Sequence, residues 1–247
     1  MTLQANFTNE QIGSVSLFLG DSFKVVDSFP DNYFDAADTS PPFENDEFDV
    51  LDDETYYSKL GDFILMKLRY KVRDYSLIFN SSTRLVEMCK RYNPSRVLTW
   101  YKLRSETPYR TEPVFVFPSL RPRYNFNKSC FSDGYHVQAV AANSPNHNYE
   151  NPVELHEVWL LNILTFRDAS RFTRRVLDPF AGSGCVGKAC LDMGLECVLI
   201  ERDPSLFEKT CRALKEWKSL PINPRVAERI AEAKERQRIF TEGGLSQ

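Results

Sequence analysis

The sequence predicts an α/β fold in which a mainly parallel sheet is covered by helices on both faces. Two observations carry this prediction. Short segments rich in β-branched and aromatic residues alternate along the chain with longer segments of helical periodicity. With 42% hydrophobic and 26% charged residues, the 247-residue chain has the composition of a globular protein and the length for one domain with a sizeable core.

The first part of this domain, residues 14–117, alternates predicted strands and helices. Its first strand ends at Gly20-Asp21, and its second ends at Thr39-Ser40-Pro41-Pro42-Phe43, which we call the proline loop. Because two prolines cannot continue a strand, this loop should lie at the strand's carboxyl end. The predicted strands are 14–19, 33–38, 74–80, 96–101 and 113–117, the last two as an antiparallel pair, and the predicted helices are 22–29, 54–70 and 82–92.

Residues 118–150 show little periodicity and many Pro, Asn, Ser and Tyr residues, which predicts a long irregular insertion. Residues 151–217 return to alternating helices and strands, and a tail at 218–247 carries a charged helix. The helices predicted in these two parts are 153–166, 186–193, 204–217 and 225–238, and the strands are 174–178 and 196–201.

A glycine loop, residues 178–187 (DPFAGSGCVG), follows the strand at 174–178 and opens a helix. Gly182, Gly184 and Gly187 fit the pattern G-x-G-x-x-G, and Glu201 follows Gly182 by nineteen residues at the end of the next strand. Glycines there let the backbone approach a ligand, and the carboxylate can bind ribose hydroxyls. The pattern alone fits nicotinamide cofactors, flavins and S-adenosylmethionine.

Two details favour S-adenosylmethionine. Asp178 directly precedes the glycines, where a carboxylate would repel a pyrophosphate but would suit the ammonium group of a methionine moiety. Only two strands and their helices follow residue 174, so the rest of the sheet must come from upstream. The cofactor half therefore follows the other half in sequence, an order that the closeness of domain termini makes tolerable.

Three segments together resemble the amino-methyltransferases of DNA: Gly20-Asp21, Phe29-Pro30-Asp31, and residues 35–43 (DAADTSPPF). In that family a [D/N/S]-P-P-[Y/F/W] loop holds the flipped base. The order of proline loop, variable region and glycine loop is similar to the beta class. The resemblance covers roughly residues 14–217 and implies a Rossmann-like, S-adenosylmethionine-dependent methyltransferase with target recognition in the insertion at 118–150.

The resemblance implies a catalytic role for the proline loop. The Ser40 side chain and the Pro41 carbonyl would accept hydrogen bonds from the exocyclic amine, which makes its lone pair available to attack the methyl group. Pro41 and Pro42 would pre-fix the loop, and Phe43 would stack on the flipped base. Serine at the first position favours cytosine N4 over adenine N6. The reaction needs no metal and no covalent intermediate.

The resemblance also implies the cofactor contacts. Asp21 would contact the adenine, with helix capping as the alternative role, and Glu201 would bind the ribose. Asn151 falls where the family usually has Lys-Pro or His-Pro near the methionine carboxylate. The full set of expected cofactor-binding residues is Asp21, Asn151, Asp178, Phe180, Gly182, Gly184 and Glu201.

DNA is the expected partner, with a second copy of the chain and a restriction endonuclease as further candidates. Arg121, Arg123 and Lys128, interleaved with aromatic residues, form the expected nucleic-acid patch. Tyr101 and Lys102 resemble the wall of the family's base pocket. The formal net charge of −3 argues mildly against nucleic-acid binding, but a run of acids at 44–54 concentrates the negative charge in one segment.

Other classes are less well supported. The first thirty residues show no signal peptide, and no stretch approaches the roughly 18–20 apolar residues that span a bilayer, so a soluble intracellular protein is expected. The six cysteines and three histidines show no metal-ligand spacing, and His156 is expected to be a packing residue. Two alternatives remain open: a catalytically degenerate binding subunit, and a nicotinamide-dependent oxidoreductase.

Overall fold

A computed structural model of the chain describes residues 7–41, 53–102, 111–122, 134–137, 151–164 and 174–222, together with single residues between 224 and 235. The described strands are β1 (Thr8–Ile12), β2 (Val15–Leu19), β3 (Phe34–Thr39), β4 (Val72–Phe79), β5 (Arg96–Lys102), β6 (Thr111–Pro118), β7 (Gly134–Val137), β8 (Arg175–Asp178) and β9 (Glu196–Glu201). They form one sheet in the order β1-β2-β9-β8-β3-β4-β6-β5-β7.

The centre of this sheet is parallel, which confirms the predicted architecture. Strands β2, β9, β8, β3 and β4 all run in one direction, so their carboxyl ends meet at one edge, which we call the carboxyl edge. Strand β6 runs antiparallel to both β4 and β5, as predicted for the latter pair. From β3 the chain continues to β4 on one side of the sheet, and from β8 it continues to β9 on the other side. The strand order therefore reverses between β3 and β8. Open α/β sheets bind their ligands at such a reversal.

Helices cover both faces of the sheet because alternate strand residues point to opposite sides. In β2, Val15 and Leu17 pack on one face and Phe18 on the other. The first face carries α5 (Val153–Leu164), α6 (Cys185–Met193) and α7 (Pro204–Ser219). The second carries α1 (Ser22–Asp27), α2 (Asp53–Gly61) with the π-helix Asp62–Leu68 and α3 (Arg69–Lys71), and α4 (Leu85–Tyr92) after the 3-10 turn Ser82–Arg84.

Two strands were not predicted from the sequence. Strand β1 (TNEQI) is polar and exposed, and it pairs with the edge of the sheet only through a hairpin with β2. Strand β7 lies inside the insertion at 118–150 and pairs in parallel with β5. The sequence TNEQI of β1 lacks the apolar alternation that marks a half-buried strand, and β7 has only four residues (GYHV), which is too short for a clear pattern. In the described parts of the chain, no helix is long and apolar enough to cross a membrane.

Candidate active site

The predicted functional segments meet at the carboxyl edge. Strand β3 leads into Ser40 and Pro41 of the proline loop, and β8 ends at Asp178. Strand β9 ends at Glu201, beside the end of β2, where the Gly20 N–H donates to the Glu201 carbonyl at 2.9 Å. Segments far apart in sequence therefore lie at one edge of the sheet because their strands are parallel neighbours.

The glycine loop has the geometry that its pattern predicts. Gly184 has a φ of 79° and caps the start of α6, and a Cβ there would lie 2.9 Å from the Thr210 Cγ2 atom. A Cβ at Gly187 would lie 2.6 Å from the Leu199 Cδ1 atom, so glycine lets α6 pack closely on β9. The Thr210 Oγ1 donates to the Gly182 carbonyl at 2.6 Å and holds the loop from α7. Backbone geometry thus keeps the loop open to a ligand.

Asp178 is a buried carboxylate at the end of β8, only 3% exposed. Its Oδ1 accepts hydrogen bonds from the Thr39 Oγ1 at 2.6 Å and from the Phe180 N–H at 3.1 Å. Burial raises the pKa of Asp178 to about 7, and these two hydrogen bonds only partly oppose that rise. A cationic group bound beside Asp178 would stabilise its charged form, as expected for a ligand that carries an ammonium.

Glu201 is oriented by the glycine loop itself. Its Oε2 accepts from the Gly182 N–H at 3.1 Å, and its Oε1 accepts from the Asp203 N–H at 2.9 Å. Burial raises the pKa of Glu201, while these backbone hydrogen bonds lower it. Each carboxylate oxygen can accept more than one hydrogen bond, so Glu201 can still bind ribose hydroxyls.

Asp21 has a local structural role. It is exposed at the amino end of α1, where its side chain accepts from the Lys24 N–H at 3.1 Å. This is the capping role named above as its alternative. Its expected contact with the cofactor adenine stays a prediction.

Ser40 and Pro41 lie at the carboxyl edge beside the start of α5. The Ser40 side chain is half-buried, and its Oγ accepts from the Asn151 Nδ2 at 3.0 Å. The side chain of Asn151 therefore contacts Ser40, and its expected contact with the methionine carboxylate stays a prediction. Pro42 and Phe43 lie outside the described residues.

His156 forms a buried pair with Asp38 directly behind the proline loop. Its Nδ1 donates to both carboxylate oxygens, at 3.0 and 3.1 Å, and its ring packs 5.1 Å from the Phe79 ring. Burial opposes the imidazolium, but the charge and hydrogen bonds of Asp38, with a contribution from Asp178, raise the pKa of His156. His156 is buried in the core, as expected, but its pairing with Asp38 was not predicted from the sequence. The available signal was an ionisable residue at a core-facing position in each segment, Asp38 two residues after buried Ala36 and His156 directly after buried Leu155.

Of the three predicted nucleic-acid residues, the structure describes only Arg121. Arg121 follows the end of β6, which runs opposite to β4, so it lies at the edge away from Ser40. Lys102, at the end of β5, lies at the carboxyl edge, with its Nζ 3.1 Å from the Glu112 Oε2 and 4.9 Å from the centre of the Trp100 ring. Tyr101 beside it is 39% exposed. Arg123 and Lys128 lie outside the described residues, so the patch stays a prediction.

The described residues do not form a metal site. Among them, no group of three or more His, Cys, Asp or Glu side chains is arranged to hold a metal ion. The cysteines Cys89, Cys185, Cys190, Cys197 and Cys211 are free thiols, and all but Cys89 are buried. The functional groups that the site offers are carboxylates, hydroxyls and backbone N–H groups.

The fold is similar to that of several solved DNA methyltransferases. The PvuII DNA methyltransferase (cytosine-N4-specific) superposes with a TM-score of 0.63 at 16% identity, over 93% of this chain and 96% of that one. A putative DNA modification methylase from Thermus thermophilus gives 0.60 at 17% identity, over 82% and 95%. M1.HpyAVI in complex with S-adenosylmethionine gives 0.57 at 17% identity, over 81% and 99%. No curated protein matches the chain.

Fold and site together define a methyltransferase with its glycine loop after its proline loop. The model of the N6/N4 DNA methylase family matches residues 52–212, and the chain belongs to this family. It is therefore a DNA amino-methyltransferase that uses S-adenosylmethionine. The matched region contains the glycine loop and Glu201 but begins after the proline loop.

Proposed function

We propose that this enzyme methylates the N4 amino group of cytosine in double-stranded DNA after the base has been flipped out of the helix. The observation that carries this proposal is a serine at the end of β3, next to the strand that carries Asp178. Enzymes that act on a base must extract it from the stack, and the carboxyl edge lies where sheets of this kind bind ligands.

The cofactor fits the residues of the glycine-loop side. Asp178 would bind the ammonium of its methionine part, and Glu201 would bind its ribose hydroxyls; both carboxylates are already held by backbone N–H groups. When bound, S-adenosylmethionine supplies an electrophilic methyl group. Because Asp178 is buried and its pKa stays raised despite the nearby His156, a further cation beside it would stabilise its charged form, which favours a ligand that carries an ammonium.

Ser40 and Pro41 would bind the target amine. An exocyclic amine conjugated to its ring is a poor nucleophile, and two hydrogen-bond acceptors placed on its hydrogens make the nitrogen lone pair available. The Ser40 Oγ already accepts from Asn151 and keeps a second lone pair for the amine. The Pro41 carbonyl is the second acceptor. The nitrogen gains a methyl group and then loses one proton to solvent.

The DNA surface would lie around the carboxyl edge. Tyr101 and Lys102 reach this edge at the end of β5, and β7 from the insertion pairs beside them. We expect the short insertion to recognise a short DNA sequence. A second copy of the chain and a restriction endonuclease are further proposed partners.

The decisive test identifies the modified base. DNA methylated by the purified enzyme is digested to nucleosides and analysed by mass spectrometry, and we expect N4-methylcytosine. N6-methyladenine would contradict the choice of base but not the class of enzyme. Ser40→Ala should lower kcat by about 100-fold, the usual effect of losing one transition-state hydrogen bond, while the Kd for S-adenosylmethionine stays unchanged. An unchanged kcat would remove Ser40 from the mechanism.

A further inference from the structure

A buried charge pair lies behind the proline loop without taking part in the chemistry proposed above. Asp38 is 0% exposed and His156 is 2% exposed. The His156 Nδ1 lies 3.1 and 3.0 Å from the two oxygens of Asp38, so it binds the carboxylate evenly. Asp38 is in β3, two residues before Ser40, and His156 is in α5.

Stability alone is a weak reason for such a pair. Removing two charged groups from water costs several kcal/mol each, and apolar residues of similar volume at the same positions are often at least as stabilising. The surroundings would suit apolar residues, since Ala36 and Leu77 from the sheet and Leu155 from the helix are fully buried in the same core. Conformational specificity is the other known use of a buried polar pair.

The contacts of β3 show what this pair can specify. Helix α5 and the residues just before it hold the end of β3 at two points, through His156 on Asp38 and Asn151 on Ser40. Thr39 lies between these points and donates to Asp178 on the neighbouring strand. Three successive residues are thus fixed by side chains from other elements, and the last of them is the proposed acceptor of the target amine.

We propose that His156 is a positioning residue for methyl transfer, which acts through Asp38 to hold Ser40 and Pro41 where the target amine must bind. The proposal rests on the function proposed above for Ser40. The imidazolium also offsets the charges of two carboxylates, Asp38 and Asp178. These two residues are close because β3 and β8 are paired, with Ala37 opposite Leu177. The raised pKa of His156 agrees with a charged imidazolium.

Three variants test this role. His156→Leu removes the donor and nearly preserves the volume, and a displaced loop should lower kcat by about 10- to 100-fold. The Kd for S-adenosylmethionine should change less than kcat, because only the charge of His156 is lost near Asp178 while Thr39 and the Phe180 N–H still hold it. His156→Asn places an amide donor at the position of Nδ1 and should restore most of the kcat. The double variant Asp38→Ala/His156→Leu removes both charges and should melt above His156→Leu, because no unpaired charge stays buried, while kcat stays low.

Asp35→Asn is the matched control. Asp35 is in the same strand, but it lies at the other end, where it contacts Arg73 at 3.3 Å and accepts from the Arg175 N–H at 3.0 Å. This variant should lose stability and keep the wild-type kcat. A wild-type kcat in the double variant would overturn the proposal, and so would a failure of His156→Asn to exceed His156→Leu.

A second readout does not depend on turnover. Hydrogen exchange of the Thr39 and Ser40 amides should accelerate at least about tenfold in His156→Leu relative to wild type, since local opening controls exchange. Unchanged exchange would overturn the proposal. If the wild type methylates adenine, or no base at all, the proposed function fails, but this measurement still decides whether His156 holds the loop.

Discussion

The glycine loop and the proline loop lie side by side at one edge of the sheet, but they are held in different ways. The glycine loop is shaped by its own backbone, with positive φ angles at Gly182 and Gly184 and a carboxylate from the next strand on its N–H group. The start of the proline loop and Asp38 directly before it are held by side chains 111 to 139 residues away: Asn151, His156 and Asp178. Cofactor binding should therefore fail when the backbone is strained, and catalysis should fail when a distant side chain is lost.

The largest expected effect is at the residue that both loops share. Asp178→Asn removes the charge for the cofactor ammonium but keeps a carbonyl oxygen for the Thr39 hydroxyl and the Phe180 N–H. We expect the Kd for S-adenosylmethionine to rise by about 100-fold or more, which is typical for the loss of one partner of a buried charge pair. Isothermal titration calorimetry measures this change. If the variant binds S-adenosylmethionine as well as wild type, Asp178 holds the proline loop through Thr39 but does not bind the cofactor.

The second-largest effect is expected from a substitution that strains the backbone of the glycine loop. Gly184→Ala adds a Cβ at a positive φ and 2.9 Å from the Thr210 Cγ2, so strain and overpacking should lower the free energy of unfolding by about 3 kcal/mol. Gly194→Ala is the control, because Gly194 has a φ of 67° at the other end of α6 with nothing within 4 Å. It should cost only about 1 kcal/mol. Equal losses in urea unfolding would mean that the contact with Thr210 is unimportant.

The pH dependence of cofactor binding sharpens the same comparison. Burial raises the pKa of Asp178 from 3.8 to about 7, so the unliganded enzyme binds this proton and must release it to pair with an ammonium. Affinity for S-adenosylmethionine should therefore fall as the pH drops below 7, approaching about tenfold per pH unit. The stability of the unliganded protein should show the linked effect and decrease as the pH rises from about 4 to 7.

Proton release provides a direct measurement. Titrations in buffers of different ionisation enthalpy should show the release of up to about one proton per bound cofactor near pH 6. Asp178→Asn should bind weakly with no such pH dependence. A pH dependence that persists in this variant would assign the titration to another group, such as Glu201, whose pKa is also raised by burial.

The smallest expected effect separates two roles for Asn151. If its amide acts through Ser40, Asn151→Ala should lower kcat by about 3- to 10-fold, the value of one hydrogen bond, and leave the Kd for S-adenosylmethionine unchanged. If it binds the methionine carboxylate instead, the Kd should rise and kcat should stay constant. Steady-state kinetics and calorimetry on the same variant decide between these outcomes.

Local features were predictable from the sequence. The glycine loop, the strand before it and Glu201 depend on residue types at fixed spacing within one β-α-β unit, and the structure places them as expected. Most strand and helix bounds agree within a few residues, because apolar periodicity marks each buried face. Strand β1 escaped prediction because its sequence is mostly polar, and β7 because four residues give no clear pattern; both are identified by their pairing with a neighbouring strand.

By itself, then, the sequence determined the fold class, the family and the conformation of the glycine loop, since these depend on hydrophobic periodicity and on glycines whose constraints are local. Only the tertiary structure decided which side chains meet. It placed Asn151 on Ser40, His156 on Asp38, and Arg121 at the edge opposite to the site. Those contacts depend on how a helix and two strands, more than a hundred residues apart, pack against each other, and no local pattern encodes that geometry.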